Sequence, residues 1–349
     1  MVKLAILVAI FPFAFPQHAH PSDPPVPLAL VQTIEVPNIP EGHRIDHLGI
    51  DLNGHRLFST MQEAHKVAVI DLDTGTVTHS IPVANPHAVL YRRDLDRIYV
   101  SDDDPVEPGV KIFDGRDYRL LTSVKLLKRT DSMVYDPQTH YLYVVNGGTS
   151  AKLDYSLVSI LDSTTGSHLG DVKVSAGSLE DMDLEASGYR LYVAVEDKNQ
   201  VAIIDREKRI VLDAWSVPHG SPVATAVDEA HHRLFVACRI GQLHGEIAVF
   251  DTQSGKAIKT LPIGGLLDYM VFDAKSRRIY AVCSTADVDV YEQHDDGEYA
   301  LLGKVETALL ARTGLLVPEL HRFFVASPNT GLTPAEILVF QVEGLQAHN

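Results

Sequence analysis

The chain has 349 residues, of which 45% are hydrophobic, and a formal charge of −16 at pH 7. This hydrophobic content is enough for a large buried core, and an aromatic content of 7% is ordinary for a folded protein, which excludes a disordered chain. The negative charge disfavours a nucleic-acid partner, because a polyanion is repelled at long range.

The N-terminus has the pattern of a secretory signal. Lys3 precedes an apolar run over residues 4–15, which is the basic and then hydrophobic order of export signals. This run is too short to span a bilayer, and no later stretch is long enough to do so. We therefore predict a signal peptide over residues 1–19, a linker over residues 20–27, and a periplasmic or secreted protein without a transmembrane segment.

Seven repeats follow the linker. Each contains an anchor residue, basic in six repeats and aromatic in one, followed by alternating apolar and β-prone residues. The first apolar residues of successive repeats are separated by 41 to 49 positions. A regular period of this size indicates stacked supersecondary units. The anchors are Arg56, Arg97, Tyr141, Arg190, Arg233, Arg278 and Arg322.

Each repeat predicts four short strands. The first lies before the anchor, as in Met133–Asp136, and the second begins at the anchor. The third ends in a hairpin such as Val67–Gly75, in which Asp71 caps the turn and Gly75 takes the positive φ. A fourth strand follows, as in Val77–Val83. Alternation with a period of two and many β-branched residues support strands throughout.

The last repeat lacks its fourth strand. It ends at its third strand, Ala335–Glu343, while a matching fourth strand, Ala29–Val36, stands alone before the first repeat. Pairing these two strands closes a ring and removes exposed sheet edges. The sequence therefore predicts an all-β, seven-bladed β-propeller over residues 28–343, with four antiparallel strands per blade and a tail over residues 344–349.

The repeat core and hairpins resemble the YncE-like proteins of the YVTN β-propeller repeat class, over about residues 28–341. Strings such as Asp46–Asp51, Asp228–Arg239 and Val317–Ala326 are similar to the exported bacterial branch of that group. The resemblance implies a periplasmic or cell-surface propeller. It implies no single activity, because a fold does not determine a function.

The residues just before each first strand should surround one mouth of the central channel. On the same rim, long connections join strands two and three, and long loops on a rigid scaffold are where binding sites usually lie. The polar side chains predicted to converge there are His47, His87, Asp131, Glu180, Asp181, Asp268 and Arg312.

This set of side chains allows three interpretations. Carboxylates and imidazoles are ligands for a divalent cation, although the sequence assigns no cofactor with certainty. They are also acid and base groups that act on small substrates. Alternatively, they only cap turns. Because the acids in this ring outnumber its one arginine, Arg312, mutual repulsion would leave room for a bound cation or a cationic ligand.

Familiar catalytic motifs are absent from the sequence. We therefore expect an exported, monomeric binding or interaction protein whose rim meets a protein, a cell-envelope component or a small ligand. The alternative is a lactonase-like hydrolase, dependent on a divalent metal or not. Weaker candidate sites are Glu41–Arg44, the acidic loop from Asp102 to Glu107, and His231 with His232. Cys238 and Cys283 are expected to be free thiols, because equivalent strands of neighbouring blades diverge.

Overall fold

The structure is a computed structural model that describes residues 26–343. The predicted signal peptide, most of the linker and the predicted C-terminal tail lie outside the described residues. Within them the chain forms 28 β-strands, and the helical segments are three short 3-10 turns at Gly148–Ala151, Glu196–Lys198 and Pro318–Leu320. No helix in this range is long and apolar enough to cross a membrane.

The strands form seven four-stranded antiparallel sheets, which are the blades. Blade 1 contains β2 (Leu48–Asp51), β3 (Arg56–Met61), β4 (Lys66–Asp71) and β5 (Thr76–Pro82). Blade 2 contains β6 (Pro86–Arg92), β7 (Arg97–Asp102), β8 (Gly109–Asp114) and β9 (Leu120–Lys125). Blade 3 contains β10 (Met133–Asp136), β11 (Tyr141–Gly147), β12 (Ser156–Asp162) and β13 (Ser167–Val174).

The remaining blades follow the same order. Blade 4 contains β14 (Leu179–Leu184), β15 (Arg190–Val195), β16 (Gln200–Asp205) and β17 (Ile210–Ser216). Blade 5 contains β18 (Ser221–Asp228), β19 (Arg233–Arg239), β20 (Gly245–Asp251) and β21 (Lys256–Ile263). Blade 6 contains β22 (Tyr269–Asp273), β23 (Arg278–Cys283), β24 (Thr285–Gln293) and β25 (Tyr299–Leu309). Blade 7 contains β26 (Thr313–Val317), β27 (Arg322–Ser327) and β28 (Glu336–Val342).

The N-terminal strand closes the ring, as predicted. The strand β1 (Leu28–Glu35) pairs antiparallel with β28, so that Leu28 lies opposite Val342 and Glu35 opposite Glu336. Leu28 and Ile34 are each only 1% exposed. The seven-bladed propeller is therefore confirmed, and its last blade is built from both ends of the described chain.

The repeated anchor arginines fasten neighbouring blades to each other. Arg56 donates to the backbone oxygen of Gly115 at 2.5 Å, and Arg190 donates to that of Thr252 at 2.6 Å. Each acceptor lies in the turn between the third and fourth strands of the next blade. A guanidinium with several donors suits this position, because the turn carbonyls would otherwise lack partners. The sequence signature of the repeat is therefore an interblade contact.

Candidate functional site

The predicted side chains come together at one mouth of the central channel. They line a cavity of about 360 Å³, which we call the channel mouth, and all seven blades contribute to it. The first strand of each blade starts near this rim, which explains why residues 265 positions apart in sequence, such as His47 and Arg312, share one cavity. All seven predicted residues line it: His47, His87, Asp131, Glu180, Asp181, Asp268 and Arg312.

Sequence reasoning missed several lining residues. Gln62, Glu196 and Arg239 also face the cavity, and each stands six positions after the anchor arginine of its blade. This offset marks the end of the second strand, which reaches the same rim as the start of the first. Reading that position in every repeat would have found these three residues. Arg44 and Arg129 also line the cavity, from connections between blades.

One part of the mouth is a paired cluster around His87. Its Nδ1 lies 3.4 Å from a carboxylate oxygen of Asp46 and 3.4 Å from one of Asp131. Gln62 Nε2 donates to Asp46 at 2.7 Å. Burial lowers the pKa of His87, but the charges and hydrogen bonds of Asp131 and Asp46 outweigh that effect and raise this pKa to about 10. His87 is therefore a cation at neutral pH, and we call this group the Asp/His cluster.

The other part of the mouth is richer in arginine. Asp268 lies between two guanidiniums: Arg312 Nε is 2.5 Å from one carboxylate oxygen, and Arg239 contacts the other. Arg129 donates to Glu180. Burial lowers the pKa of both Arg239 and Arg312, and the charge of a neighbouring arginine lowers each further. We call Arg129, Arg239 and Arg312 the arginine arc.

The pKa values of two carboxyl groups of the mouth are shifted in opposite directions. Burial, together with the charges of Asp131 and Glu196, raises the pKa of Glu180 in spite of Arg129. Burial acts in the same direction on Asp131, but the charges of His87 and Arg129 outweigh it and lower the pKa of Asp131. The two carboxyl groups therefore differ in proton affinity although they line the same cavity.

Some polar atoms at the mouth lack partners. Gln62 is 3% exposed, and its Oε1 has no hydrogen-bond donor within the described residues. Over the same part of the chain, the buried Nε of Arg129 has no acceptor. Unpartnered buried polar atoms also occur away from the mouth, including Nε of Arg206 and of Arg278, so these two atoms do not by themselves mark a ligand site.

The arginine arc corrects the expectation that acids at the mouth are nearly uncompensated. That expectation counted one arginine, Arg312, whereas Arg44, Arg129 and Arg239 line the same cavity. Asp268 contacts two of these four guanidiniums. The charge argument for a cation or a cationic ligand is therefore weaker than the sequence indicated, because four guanidiniums rather than one lie among the carboxyl groups of the cavity.

A compact group of possible metal ligands lies elsewhere. Across residues 26–343, Cys283, Asp287 and Asp289 form the only such group with ligand atoms within 4.8 Å of one another. However, Lys304 Nζ lies 2.7 Å from Asp289 and neutralises it. Burial raises the pKa of the Cys283 thiol, which keeps it protonated. Neither cysteine forms a disulfide, as expected, and both are fully buried.

The weaker sequence candidates have structural roles or lie outside the cavity. Asp104 accepts hydrogen bonds from the backbone of Val106 and Glu107, which makes it a turn cap. His231 is 2.8 Å from Asp228 in a turn on the rim opposite the mouth. Glu41 is exposed and does not line the channel mouth.

Long loops surround the mouth as predicted. They join the second and third strands and cover residues 103–108, 148–155, 240–244 and 328–335. Their tips carry exposed apolar side chains, including Val106, Leu243 and Leu332, which is 93% exposed. The opposite rim has mostly short turns. These long loops therefore surround the opening of the cavity.

Comparisons with known proteins support the fold. No protein-family model matches the chain, and a search of curated proteins finds no match either. A chain of the Kuenenia stuttgartiensis hydrazine synthase superposes with a TM-score of 0.71 at 15% identity, over 86% of this chain and 96% of that one. A chain of the mitotic checkpoint complex gives a TM-score of 0.73 at 14% identity, over 98% and 100%. At such identities the likeness shows the β-propeller fold alone.

Proposed function

We propose that this protein is an exported binding propeller that takes a small polar ligand in its channel mouth. One observation carries the proposal: a cavity of about 360 Å³ is lined by charged side chains from distant parts of the sequence. The interblade contacts of the anchor arginines lie on the opposite rim and do not involve these charges.

The shape of the site favours a small ligand over a flat protein partner. The polar groups lie inside a recessed cavity, and the loops with exposed apolar tips surround it. A cavity of this size accommodates a molecule of metabolite size. A protein or a cell-envelope component would first contact the loop tips, and it would reach the charged groups only by inserting a side chain or a head group.

Export and membership of the YncE-like group are further parts of the proposal. Export rests on the basic and apolar order of residues 1–19, and membership rests on the repeat motif around the anchors. Fractionation of the native host with intact-mass measurement tests export. We expect protein outside the cytoplasm that lacks roughly the first 19 to 25 residues. Full-length protein retained in the cytoplasm would contradict it.

The binding role is tested by thermal unfolding with a panel of small polar compounds. We expect at least one compound to raise the melting temperature of the wild type saturably, because a ligand that binds only the folded state stabilises it. His87→Gln should weaken that response, whereas His231→Ala on the opposite rim should retain it. A response that both variants share, or no response to any compound, would contradict binding at the mouth.

A hydrolase is the second candidate, and it is favoured by two carboxyl groups in one cavity, Glu180 and Asp131, whose pKa values are shifted in opposite directions. A protonated carboxyl can donate a proton to a leaving group while an ionised one activates water, which is the division of work in acid–base catalysis. The test is turnover of lactone and simple ester substrates by the wild type and by Glu180→Gln. Loss of turnover in Glu180→Gln with intact folding supports this candidate; absence of wild-type turnover removes it.

A further inference from the structure

We propose that the ligand is a small organic anion whose carboxylate or phosphate group is bound by the arginine arc, Arg129, Arg239 and Arg312. This inference rests on the proposed binding function and names the chemical class of the ligand. The three side chains come from blades 3, 5 and 7 or the connections that lead into them, and they face one cavity from alternate positions of the ring.

Donors remain in the arc after its internal contacts are made. Arg312 contacts Asp268 through Nε, and 26% of its side chain is exposed. Arg239 Nη1 is 3.6 Å from Glu196, which is too long for a hydrogen bond. Guanidinium donors in such an arrangement match the oxygen atoms of carboxylate and phosphate.

Charge in the arc also favours an anion. Asp268 is shared by Arg239 and Arg312, so one carboxylate serves two guanidiniums. Burial lowers the pKa of both groups, and the charge of a neighbouring arginine, Arg312 for Arg239 and Arg44 for Arg312, lowers each further. A bound oxyanion would supply additional negative charge beside them.

The Asp/His cluster indicates what the rest of the ligand carries. The carboxylates of Asp46 and Asp131 in this cluster accept hydrogen bonds rather than donate them, as Asp46 does from Gln62. Hydroxyl or amino groups are the donors that fit them. The cavity of about 360 Å³ is also larger than an inorganic anion requires. The ligand class is therefore a carboxylate or phosphate ester with hydroxyl or amino groups at its other end.

Calorimetric titration with inorganic phosphate and with succinate tests this inference. Each probe is titrated at constant ionic strength in a buffer without oxyanions, and spermidine serves as the cationic comparison. We expect saturable binding of at least one anion, weakened tenfold or more in Arg312→Gln. Arg116→Gln is the matched control, because Arg116 lies in an exposed turn of the opposite rim with 84% of its side chain exposed. Stronger binding of phosphate than of succinate would indicate a phosphate ester as the ligand, and the reverse order would indicate a carboxylate.

Two further results distinguish the possible outcomes of this titration. Arg312→Lys keeps the charge but loses the planar pair of donors, so we expect it to bind more weakly than the wild type and more tightly than Arg312→Gln. If neither anion binds, or if Arg312→Gln binds as the wild type does, the inference is overturned. Binding of spermidine or a neutral compound that depends on His87 would overturn the anion assignment while leaving the binding function intact.

Discussion

The two rims of the propeller are built from the same repeats, but their charged side chains differ in how completely they are paired. On the opposite rim, Arg206 is bound by Asp136 at 2.5 Å and donates to the backbone oxygens of Glu185 and Gly188. At the channel mouth, Arg312 has one carboxylate contact, through Nε. Arg206 is also less exposed, with 7% of its side chain exposed against 26% for Arg312, so the two arginines differ both in their partners and in their exposure.

Within one repeat, this difference distinguishes charged side chains that stabilise the fold from charged side chains that are available to a ligand. A buried charge with several partners, such as Arg206, holds neighbouring blades together, and its loss leaves the partner charge buried alone. A buried charge with too few partners contributes little to folding and is available to a ligand. Substitutions on the opposite rim should therefore reduce stability, and substitutions in the arginine arc should reduce binding.

The largest expected effect comes from deleting β1, the strand that closes the ring. Deletion of residues 1–36 removes β1 and leaves β28 as an open sheet edge. Burial of Leu28, Ile34 and Val36 is lost, which costs roughly 5 kcal/mol or more at 1.5–3 kcal/mol for each side chain. We expect aggregation or a large drop in melting temperature.

The control for this truncation is deletion of residues 1–25, which leaves β1 in place. We expect it to unfold like the full chain in thermal denaturation. Equal melting temperatures for the two truncations would show that β1 does not close the ring.

The next effect comes from the paired opposite rim. Arg206→Met leaves Asp136, which is 2% exposed, without its ion-pair partner. Breaking a buried pair in this way costs about 3 kcal/mol or more. Equilibrium unfolding in urea measures the loss. Lys208→Met is a suitable control, because 69% of the Lys208 side chain is exposed, so its contact with Asp205 is screened by solvent and should contribute little to stability.

A smaller effect is the pH dependence of the Asp/His cluster. The pKa of His87 rises from 6.5 to about 10 in the folded state. Its stabilising contribution is therefore complete below pH 6.5 and is lost as the pH rises toward 10. The difference in unfolding free energy between wild type and His87→Gln should shrink from pH 6 to pH 10 in urea titrations. A difference that stays constant over this range would mean that His87 is neutral throughout.

The ring could be predicted from the sequence because the repeat depends on local backbone preferences. The anchor, the Asp71 cap and the positive φ of Gly75 recur in chain order, so blade number and closure follow from local patterns alone. The missing fourth strand of blade 7 gave the position of β1 in the same way. The interblade role of the anchor was not predicted, because it depends on how far Arg56 reaches into the next blade.

The site was predicted only in part for a physical reason. Residues before the first strands lie at one rim by topology, and this placed His87 and Asp268 correctly. Which partner a charged side chain contacts depends on how far the side chain extends toward the next blade. The contacts of Asp268 with Arg239 and Arg312 therefore could not be predicted from the spacing of residues in the sequence.

The smallest expected effect tests the central claim most directly. In the ligand-free protein, Arg312→Gln removes a guanidinium whose charged form is disfavoured by burial and by Arg44, while Arg239 still neutralises Asp268. We predict that its unfolding free energy in urea stays within about 0.5 kcal/mol of the wild type or exceeds it. Arg206→Met measured alongside should lose about 3 kcal/mol. Equal losses in the two variants would contradict the account, because the mouth charges would then be as structural as those of the opposite rim.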